Sequence, residues 1–310
     1  MILRRILGRL VPSKAREALA ILALPSVMRE SFRALSYSRV EAQHARDSDD
    51  SVALGYDIRR LAHILEKGLC HPVWEPGHGR GVRDAIDSLL RRIPDGQSAS
   101  EPSLVWALGI LREYDEAQES GVNRRSGAPN TEAVVYGRSF VEFLRSRRSV
   151  RTFTGLSVEA AEIEMIASSV NWSPTSCNRQ SARIFASLDS DKIARVATRF
   201  AGCTGFSTPL PAIMVFCSDL RAYTMPMEQY LPAIDVSLGV QACALTAHSM
   251  GLSMTLMSWA QHSVEDDRIV RDILGIPAWC QIIVGAALGR PATVVPAPGR
   301  KDLKETLAFA

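Results

Sequence analysis

The sequence predicts an α+β fold with a long buried central helix and a mainly helical N-terminal region before it. Three observations lead to this prediction. Amphipathic helical patterns fill the first 135 residues, helical and short β-rich segments alternate from Tyr136 onward, and Leu231–Met250 is apolar on most sides. A helix that is apolar nearly all round must be buried on nearly all sides. We therefore expect a helical N-terminal extension over residues 1–135 and a sheet-containing domain over residues 136–310.

Length and charge limit the class of protein. The 310 residues are 46% hydrophobic, which is enough for one large domain or two modest ones with a sizeable core. The formal net charge is only +3, so no global electrostatic field points to nucleic acid. We therefore expect no nucleic-acid partner.

The cysteines indicate a reducing compartment. All six are scattered, and the sequence has neither a CxxC pair nor a secretory signal, so the prediction is a cytoplasmic protein with reduced thiols. Cys70 and His71 lie near His63 and His78, but their irregular spacing fits no standard zinc pattern. We expect no metal site.

The first eleven residues have the pattern of a basic amphipathic helix. Met1–Val11 places five aliphatic side chains on one stripe, with Arg4, Arg5 and Arg9 opposite. Such a helix either lies on an anionic membrane surface or packs on its own protein. We favour packing, because amphipathic stripes are common in soluble folds.

Three further amphipathic segments follow in the N-terminal extension. They are separated by Pro- and Gly-bearing stretches, and they are Val52–Leu69, Gly81–Ile93 and Leu104–Gln118. Gly121–Asn130 is polar and has the composition of a linker to the second domain.

The second domain alternates helices and strands. Ser157 is expected to N-cap a helix that has Glu159 in its first turn, and Gly251 is expected to end the central helix. Because one domain of this size scarcely covers so apolar a helix, the pattern favours a dimer. Three short runs have the β-rich composition of strands, namely Ala182–Leu188, Ala212–Cys217 and Gln281–Leu288.

Basic residues near both ends of the second domain form a candidate anion site. Arg147, Arg148, Ser149 and Arg151 place three guanidinium groups and a hydroxyl within five residues. Guanidinium groups offer paired donors to phosphate oxygens. A second basic pair, Arg300-Lys301, follows a strand and a Pro-rich turn. Each cluster alone is more typical of a solvated surface, and only their joint presence suggests one phosphate site.

Two other segments are dense in small residues. Ser173–Gln180 stands between a helix and a strand, and its hydroxyl and amide groups suit either a flat heteroaromatic ring or an ordinary turn. Gly251–Trp259 follows the central helix, where its small residues either let backbone amides approach a cofactor ring or form a plain buried strand.

Taken in order, these segments resemble the nitroreductase family of FMN-dependent oxidoreductases. The resemblance runs from about Phe140 to the C-terminus and rests on R-R-S-x-R, P-[ST]-x-x-N-x-Q, Asp235 on the central helix, a G-L-S strand and a terminal R-K-x-L. It implies a central mixed sheet flanked by helices, and a homodimer with FMN near the subunit interface. Two departures are Ser181-Ala182 in place of a Pro-aromatic pair, and Ser253 in place of the last glycine of G-L-G.

The resemblance also implies which residues bind FMN. The residues that match the family's phosphate- and ribityl-binding segment are Arg147, Arg148, Ser149 and Arg151, joined on the phosphate by Arg300 and, less firmly, Lys301. The loop residues that meet a flavin held mainly by the other subunit are Pro174, Thr175, Ser176, Asn178 and Gln180. The residues beside the isoalloxazine ring, where a backbone amide reaches flavin N5, are Leu256, Met257 and Ser258.

The implied activity is reduction of a nitroaromatic, a quinone or a related electron-poor acceptor. NAD(P)H passes hydride to flavin N5 and leaves before the acceptor enters, so no side-chain acid or base is assigned. Two alternatives stay open: a flavin-dependent oxidase or dehydrogenase of a biosynthetic intermediate, and a flavin-binding protein with little turnover. The extension is expected to cap the active site or the dimer.

Overall fold

Four helices make up the described part of the N-terminal region. The computed structural model describes residues 26–47, 50–69, 75–93, 102–122, 137–203, 206, 209–259, 262–295, 297, 303 and 306–309. The helices are α1 (Ser26–Asp47), α2 (Ser51–Leu69), α3 (Arg80–Leu90) and α4 (Pro102–Ser120). The last three confirm the three predicted amphipathic segments. Met1–Val11, Cys70, His71, most of the predicted linker and the Arg300-Lys301 pair lie outside the described residues.

The helices α2, α3 and α4 share a hydrophobic core of their own. Leu54, Ile58 and Leu65 follow the spacing of one face of α2, and that face is buried against Ile86 of α3 and Ile110 of α4. The amphipathic patterns therefore reflect packing of the extension on itself.

The sheet of the C-terminal region has four strands in the order β1-β2-β4-β3. These are β1 (Ala182–Ser187), β2 (Ala212–Asp219), β3 (Ser253–Ser258) and β4 (Cys280–Gly289). All three strand pairings among the described residues are antiparallel. The three β-rich runs of the sequence are confirmed as strands, and the parallel pairing of a mixed sheet is not among the described residues.

Among the described residues of this region, five helices accompany the sheet. They are α5 (Gly137–Ser146), α6 (Ala160–Ser168), α7 (Ser190–Ala197), α8 (Leu231–Ser249) and α9 (Val264–Leu274). Every residue of β2 is buried, because helices cover both faces of the sheet. Met214 and Phe216 face α6 and α8, whereas Ile213 and Val215 face α7 and α9, as the alternation of strand side chains requires.

The central helix α8 is the predicted long apolar helix, and Gly251 follows it at φ +75°. Its Gly239 lies against Val170, where an added β-carbon would stand 2.2 Å from a methyl carbon. The helix is not covered all round by the described residues, since Ile234 is 50% exposed and Leu238 is 44% exposed.

One helix start differs from the prediction. We expected Ser157 to N-cap the helix, but α6 begins at Ala160 and its N-cap is Glu159. The carboxylate of Glu159 accepts from the backbone of Glu162, and the Glu162 side chain accepts from the Glu159 amide at 3.0 Å. The Ser157 hydroxyl instead donates to Glu159 at 2.9 Å. A reciprocal capping box satisfies two backbone donors, which explains why the later start is preferred.

None of the helices in the described ranges is long and apolar enough to cross a membrane. Within those same ranges, no group of three or more His, Cys, Asp or Glu side chains is arranged to hold a metal ion. His63 contacts Glu66 at 3.0 Å on the same helix.

Candidate functional site

The basic segment Arg147–Val150 is held against strand β3. The Ser253 hydroxyl accepts from the Val150 amide at 3.2 Å and donates to the Arg148 carbonyl at 3.3 Å. The Thr255 hydroxyl donates to the Val150 carbonyl at 2.7 Å. Two strand side chains therefore fix the backbone of the basic segment, and one of them is the serine that stands where the family usually has glycine.

The segment after β4 lies beside the basic segment and the residues that follow it. Phe153 and Pro291 form an antiparallel bridge, flanked by a 3.0 Å hydrogen bond from the Thr154 amide to the Arg290 carbonyl. Farther along, the Arg148 guanidinium donates to the Val295 carbonyl at 3.2 Å. The chain is thus brought to the basic segment five residues before Arg300.

Arg147, Arg148 and Ser149 are half-buried, and Arg151 is exposed. The Arg148 guanidinium also donates to the carbonyls of Arg145 and Arg147, at 2.5 and 2.9 Å. Arg147 lies 3.5 Å from the Ser149 hydroxyl. Arg148 is therefore largely committed to the backbone, and Arg147 is the more available donor for an anion.

His248, in the last turn of α8, adjoins this segment. Its Nε2 is 2.7 Å from the Ser146 hydroxyl, and its ring centroid is 4.9 Å from that of Phe143. Burial and the charges of Arg147 and Arg148 lower the pKa of His248. Burial is the larger cause, and the two guanidinium groups add positive charge at the place where the sequence predicts an anion.

The predicted flavin loop, Ser173–Gln180, has an unusual backbone. Cys177, Asn178 and Gln180 have φ values of 52°, 52° and 54°. Asparagine tolerates this left-handed region, but residues with longer side chains rarely adopt it. Each such residue costs on the order of 1–3 kcal/mol and persists only where the surroundings enforce it.

Side chains inside the loop connect its ends. The Thr175 hydroxyl accepts from the Gln180 amide at 3.2 Å, and the Gln180 side-chain amide donates to the Asn178 oxygen at 2.8 Å. Asn178 and Gln180 therefore lie side by side and half-buried, while Pro174 is exposed.

Asp235 of α8 anchors the start of the loop. Its carboxylate is 3% exposed and accepts from the backbone amide and the hydroxyl of Ser176, at 3.0 and 2.9 Å. The Tyr223 hydroxyl also donates to it, at 2.8 Å, and in turn lies 2.7 Å from the Ser181 hydroxyl. Burial raises the pKa of Tyr223, and the Asp235 carboxylate raises it further, so the phenol remains a neutral donor.

A buried ion pair anchors the end of the loop. Arg179 donates to Glu228 at 2.5 Å, and the two side chains are only 2% and 6% exposed. The guanidinium carbon of Arg179 also lies 5.3 Å from the centre of the Tyr223 ring. Burial opposes ionisation of Glu228, but the amides of Met225 and Thr224 and the Arg179 charge together lower its pKa below the ordinary value.

Strand β3 separates its three predicted cofactor residues. The Ser258 amide and carbonyl pair with Ala201, at 2.9 and 3.0 Å, on the edge of β3 opposite β4. Backbone groups alternate between the two edges of a strand, so those of Leu256 also point to this outer edge and those of Met257 point to β4. The Met257 side chain is fully buried in the core, whereas Leu256 is 47% exposed.

Comparisons with known proteins find similarity in the region that contains this site. Residues 144–204, which span the basic segment, the loop and β1, match the model of the Nitroreductase family. Within residues 144–204, this chain is therefore similar to the nitroreductase family.

Two relatives come from Bacillus subtilis (strain 168). An FMN reductase (NADPH) is 25% identical over 169 residues, covering 50% of this chain and 66% of that protein. An FMN reductase [NAD(P)H] is 19% identical over 167 residues, covering 49% of this chain and 66% of that protein. The chain thus spans slightly less than two thirds of the length of either relative.

A solved structure shows the nitroreductase fold. It comes from a Parabacteroides distasonis ATCC 8503 protein considered an NADH dehydrogenase/NAD(P)H nitroreductase. Its TM-score is 0.50 at 18% identity, over 56% of this chain and 99% of that one.

The extension packs on the C-terminal region. Arg221, just after β2, is held by Asp219 and by Asp50 at the start of α2, at 2.6 and 2.9 Å, and its guanidinium carbon lies 4.6 Å from the Trp279 ring centre. Arg46 of α1 donates to the Arg221 carbonyl at 2.5 Å. Helix α2 also contacts Ser176–Asn178. The extension therefore lies directly on the predicted flavin loop.

Sequence reasoning missed the residues that hold the site together. The family motif includes Asp235, but Ser176, which donates to its carboxylate, is 59 positions away along the chain. Arg179 was treated as the variable position between Asn178 and Gln180, and Glu228, Tyr223 and His248 were given no role. The available signal was an ionisable residue inside an apolar helix, since a buried carboxylate requires hydrogen-bond partners.

Proposed function

We propose that this protein is an NAD(P)H-dependent flavin oxidoreductase that binds FMN non-covalently. The observation that carries the proposal is the convergence of Arg147, His248 and the C-terminal segment at Val295 beside the fixed backbone of Arg148–Val150. A positive site made of half-buried donors suits a phosphate group. The two Bacillus subtilis relatives are named as FMN reductases, which supports the same cofactor.

Different groups of residues in this chain would bind different parts of FMN. Arg147 and Ser149 would hold the phosphate and ribityl chain, with Arg151, Arg300 and Lys301 as further basic contacts. The outer edge of β3 offers the Leu256 amide and carbonyl to a planar ring, and the Asn178 and Gln180 amides offer donors and acceptors to its polar rim. The described donors fit the chemistry of the cofactor.

When bound, FMN would supply the redox chemistry, taking hydride from a reduced nicotinamide and passing electrons to an acceptor. The protein's contribution is to position the ring and to place positive charge near it, because fixed dipoles and charges stabilise developing negative charge. We assign no general acid or base. The Tyr223 phenol and Asp235 are occupied by each other and by Ser176, so their role is structural.

The acceptor that we propose is a nitroaromatic, a quinone or a related electron-poor compound, and the working unit that we propose is a homodimer. The exposed apolar side chains of Trp172, Ile234 and Leu238 lie on and beside the central helix. Several large exposed apolar side chains on neighbouring elements are typical of an interface. FMN would lie near this interface, with the loop of one subunit meeting the flavin of the other.

A spectroscopic experiment tests the proposal. The purified protein is expected to be yellow with a flavin spectrum, and anaerobic mixing with NADPH or NADH is expected to bleach it rapidly. A flavin that resists nicotinamide but is reduced by a biosynthetic metabolite would favour the oxidase or dehydrogenase alternative. A flavin inert to every donor would favour a flavin-binding protein with little turnover, and a protein that takes up no FMN would refute the proposal.

A further inference from the structure

Arg179 stands between two predicted flavin contacts but points away from them. Its side chain is 2% exposed, whereas Asn178 and Gln180 are half-buried and hydrogen-bonded to each other at 2.8 Å. The Arg179 side chain is therefore buried inside the protein, and the side-chain amides of Asn178 and Gln180 lie together on another side of the loop.

The partner of Arg179 is itself fixed by backbone. One oxygen of the Glu228 carboxylate accepts from the amides of Thr224 and Met225 at 2.9 and 3.0 Å, and the other accepts from Arg179. These two backbone bonds do not depend on Arg179, so they prepare a rigid receptor for its guanidinium. The Tyr223 ring covers the guanidinium at 5.3 Å.

The charge of Arg179 has few other partners. Within the described residues, its Nε and Nη1 are buried and have no hydrogen-bond partner. A buried guanidinium in that state depends strongly on the carboxylate that pairs with it. The position of Arg179 is therefore set by Glu228 and Tyr223.

The backbone around Arg179 explains what this anchor does. Cys177, Asn178 and Gln180 are all in the left-handed region, whereas Arg179 has ordinary helical angles, φ −69° and ψ −30°. The Asp235 anchor holds Ser176, which precedes the left-handed residues. Without a second anchor, the segment after Ser176 is free to relax, because such conformations persist only where the surroundings enforce them.

We propose that Arg179 is a positioning residue, whose ion pair with Glu228 holds Asn178 and Gln180 in the conformation that receives the flavin. This inference rests on the proposed function. A loop that is ordered before binding loses less conformational freedom on binding. Removing the anchor is therefore expected to weaken FMN binding and to alter the environment of the bound ring.

The test compares variants of the full-length protein. Arg179→Met removes the charge, Arg179→Lys keeps a positive charge at this position, and Glu228→Gln removes the receptor charge. The matched control is Arg271→Met, because Arg271 forms a similarly short pair with Asp267 at 2.5 Å on α9, where both side chains are 11% exposed. The measurements are the Kd for FMN by fluorescence quenching, the visible circular dichroism of bound FMN, and the Tm of the apoprotein.

We expect Arg179→Met to raise the Kd for FMN roughly tenfold and to change the visible circular dichroism. Glu228→Gln should do the same to a smaller extent, and Arg179→Lys should recover most of the affinity. Arg271→Met should lower the Tm but leave the Kd and the dichroism as in the wild type. If Arg179→Met does not fold, the Glu228→Gln and Arg179→Lys results decide the question.

The inference is overturned if Arg179→Met, or Glu228→Gln in its place, lowers the Tm but leaves the Kd and the dichroism unchanged. That result would give the ion pair a purely structural role while leaving the proposed function intact. A wild-type protein that binds no FMN would overturn the proposed function as well, so the two failures are distinguishable.

Discussion

Ser253 differs from the family motif and holds the backbone of the basic segment. The family resemblance places glycine there, yet the serine hydroxyl bridges the Val150 amide and the Arg148 carbonyl. Each such bond contributes about 0.5–1.5 kcal/mol. The serine hydroxyl therefore fixes the basic segment on the sheet through two hydrogen bonds, which a glycine at this position has no side chain to make.

At the residue scale, Arg147→Ala is expected to weaken FMN retention by about 1.5–3 kcal/mol, the value of a charged hydrogen bond to phosphate. The corresponding rise in Kd is roughly ten- to hundredfold. Arg300→Ala is expected to act in the same direction. Flavin occupancy after gel filtration and a fluorescence titration measure both.

A surface arginine provides the control for these two variants. Arg268 is 61% exposed and pairs with Glu265 and Asp272 on α9, so Arg268→Ala should retain the wild-type occupancy. Full occupancy in both Arg147→Ala and Arg300→Ala would contradict the phosphate assignment.

His248 predicts a pH dependence of stability. Its pKa is lowered from the ordinary 6.5, so in the pH range below 6.5 the unfolded state binds a proton that the folded state does not yet bind. The free energy of unfolding therefore falls as the pH is lowered through 6.5 toward the folded-state pKa. Relative to His248→Gln, the wild type should lose stability as the pH is lowered through 6.5, as measured by urea denaturation.

The same histidine reports on the cofactor. A phosphate bound beside Arg147 would offset positive charge near His248, so FMN is expected to raise its pKa. An NMR titration of the histidine ring protons with and without FMN measures this shift. An identical titration midpoint in both states would place the phosphate elsewhere.

At the scale of elements, the close contact of α8 with Ser169–Trp172 depends on Gly239. Alanine is ordinarily the better helix former, by about 1 kcal/mol. At this position its β-carbon would overlap the Val170 side chain at 2.2 Å, and overpacking of this kind costs about 1–3 kcal/mol. Gly239→Ala is therefore expected to lower the Tm in thermal unfolding.

Gly109 in α4 is the matched control for that change, because nothing lies within 4 Å of the position of its β-carbon. Gly109→Ala should raise stability by about 0.5–1 kcal/mol. If both variants gain stability, the close packing of α8 on Val170 is not as the structure describes.

Local pattern was sufficient for most elements. The strands β1, β2 and β4 and the helices α2, α3, α4 and α8 all follow from periodicity and turn residues in short windows. The predicted start of α6 was wrong by two residues, because serine is a common N-cap but Glu159 forms a reciprocal capping box with Glu162 in the first turn.

At the scale of the whole molecule, the exposed apolar surface around α8 predicts dimerisation. Ile234 is 50% exposed and Trp172 is 89% exposed. Ile234→Arg is expected to shift the protein from dimer to monomer, because burying an unpaired charge in an apolar interface is unfavourable. Light scattering coupled to gel filtration measures the mass of each species.

Val122→Arg serves as the control, since Val122 is similarly exposed, at 62%, but follows α4 in the extension. It should leave the mass unchanged. A wild-type protein that is monomeric at micromolar concentration would contradict the proposed dimer, as would an unaltered dimer in Ile234→Arg.

The N-terminal extension is joined to the C-terminal region through Asp50, Arg46 and Arg221. We propose that it caps the site, because α2 contacts the loop at Ser176–Asn178 and α1 lines an open cleft of about 240 Å³ with Tyr223 and Glu228. The same side chains that hold the loop therefore also face the cleft beneath the extension.

Residue order alone was enough to predict most of the helices and strands, the resemblance to the nitroreductase family and the phosphate-binding candidates, since these depend on periodicity and on donors that are close along the chain. The tertiary structure determines which of those donors are hydrogen-bonded within the protein and which can bind a ligand. Ser253 reaches Val150 across 103 positions and Arg179 reaches Glu228 across 49. Such contacts depend on how strands and helices pack against one another, and packing is a property of the whole chain that no local pattern encodes.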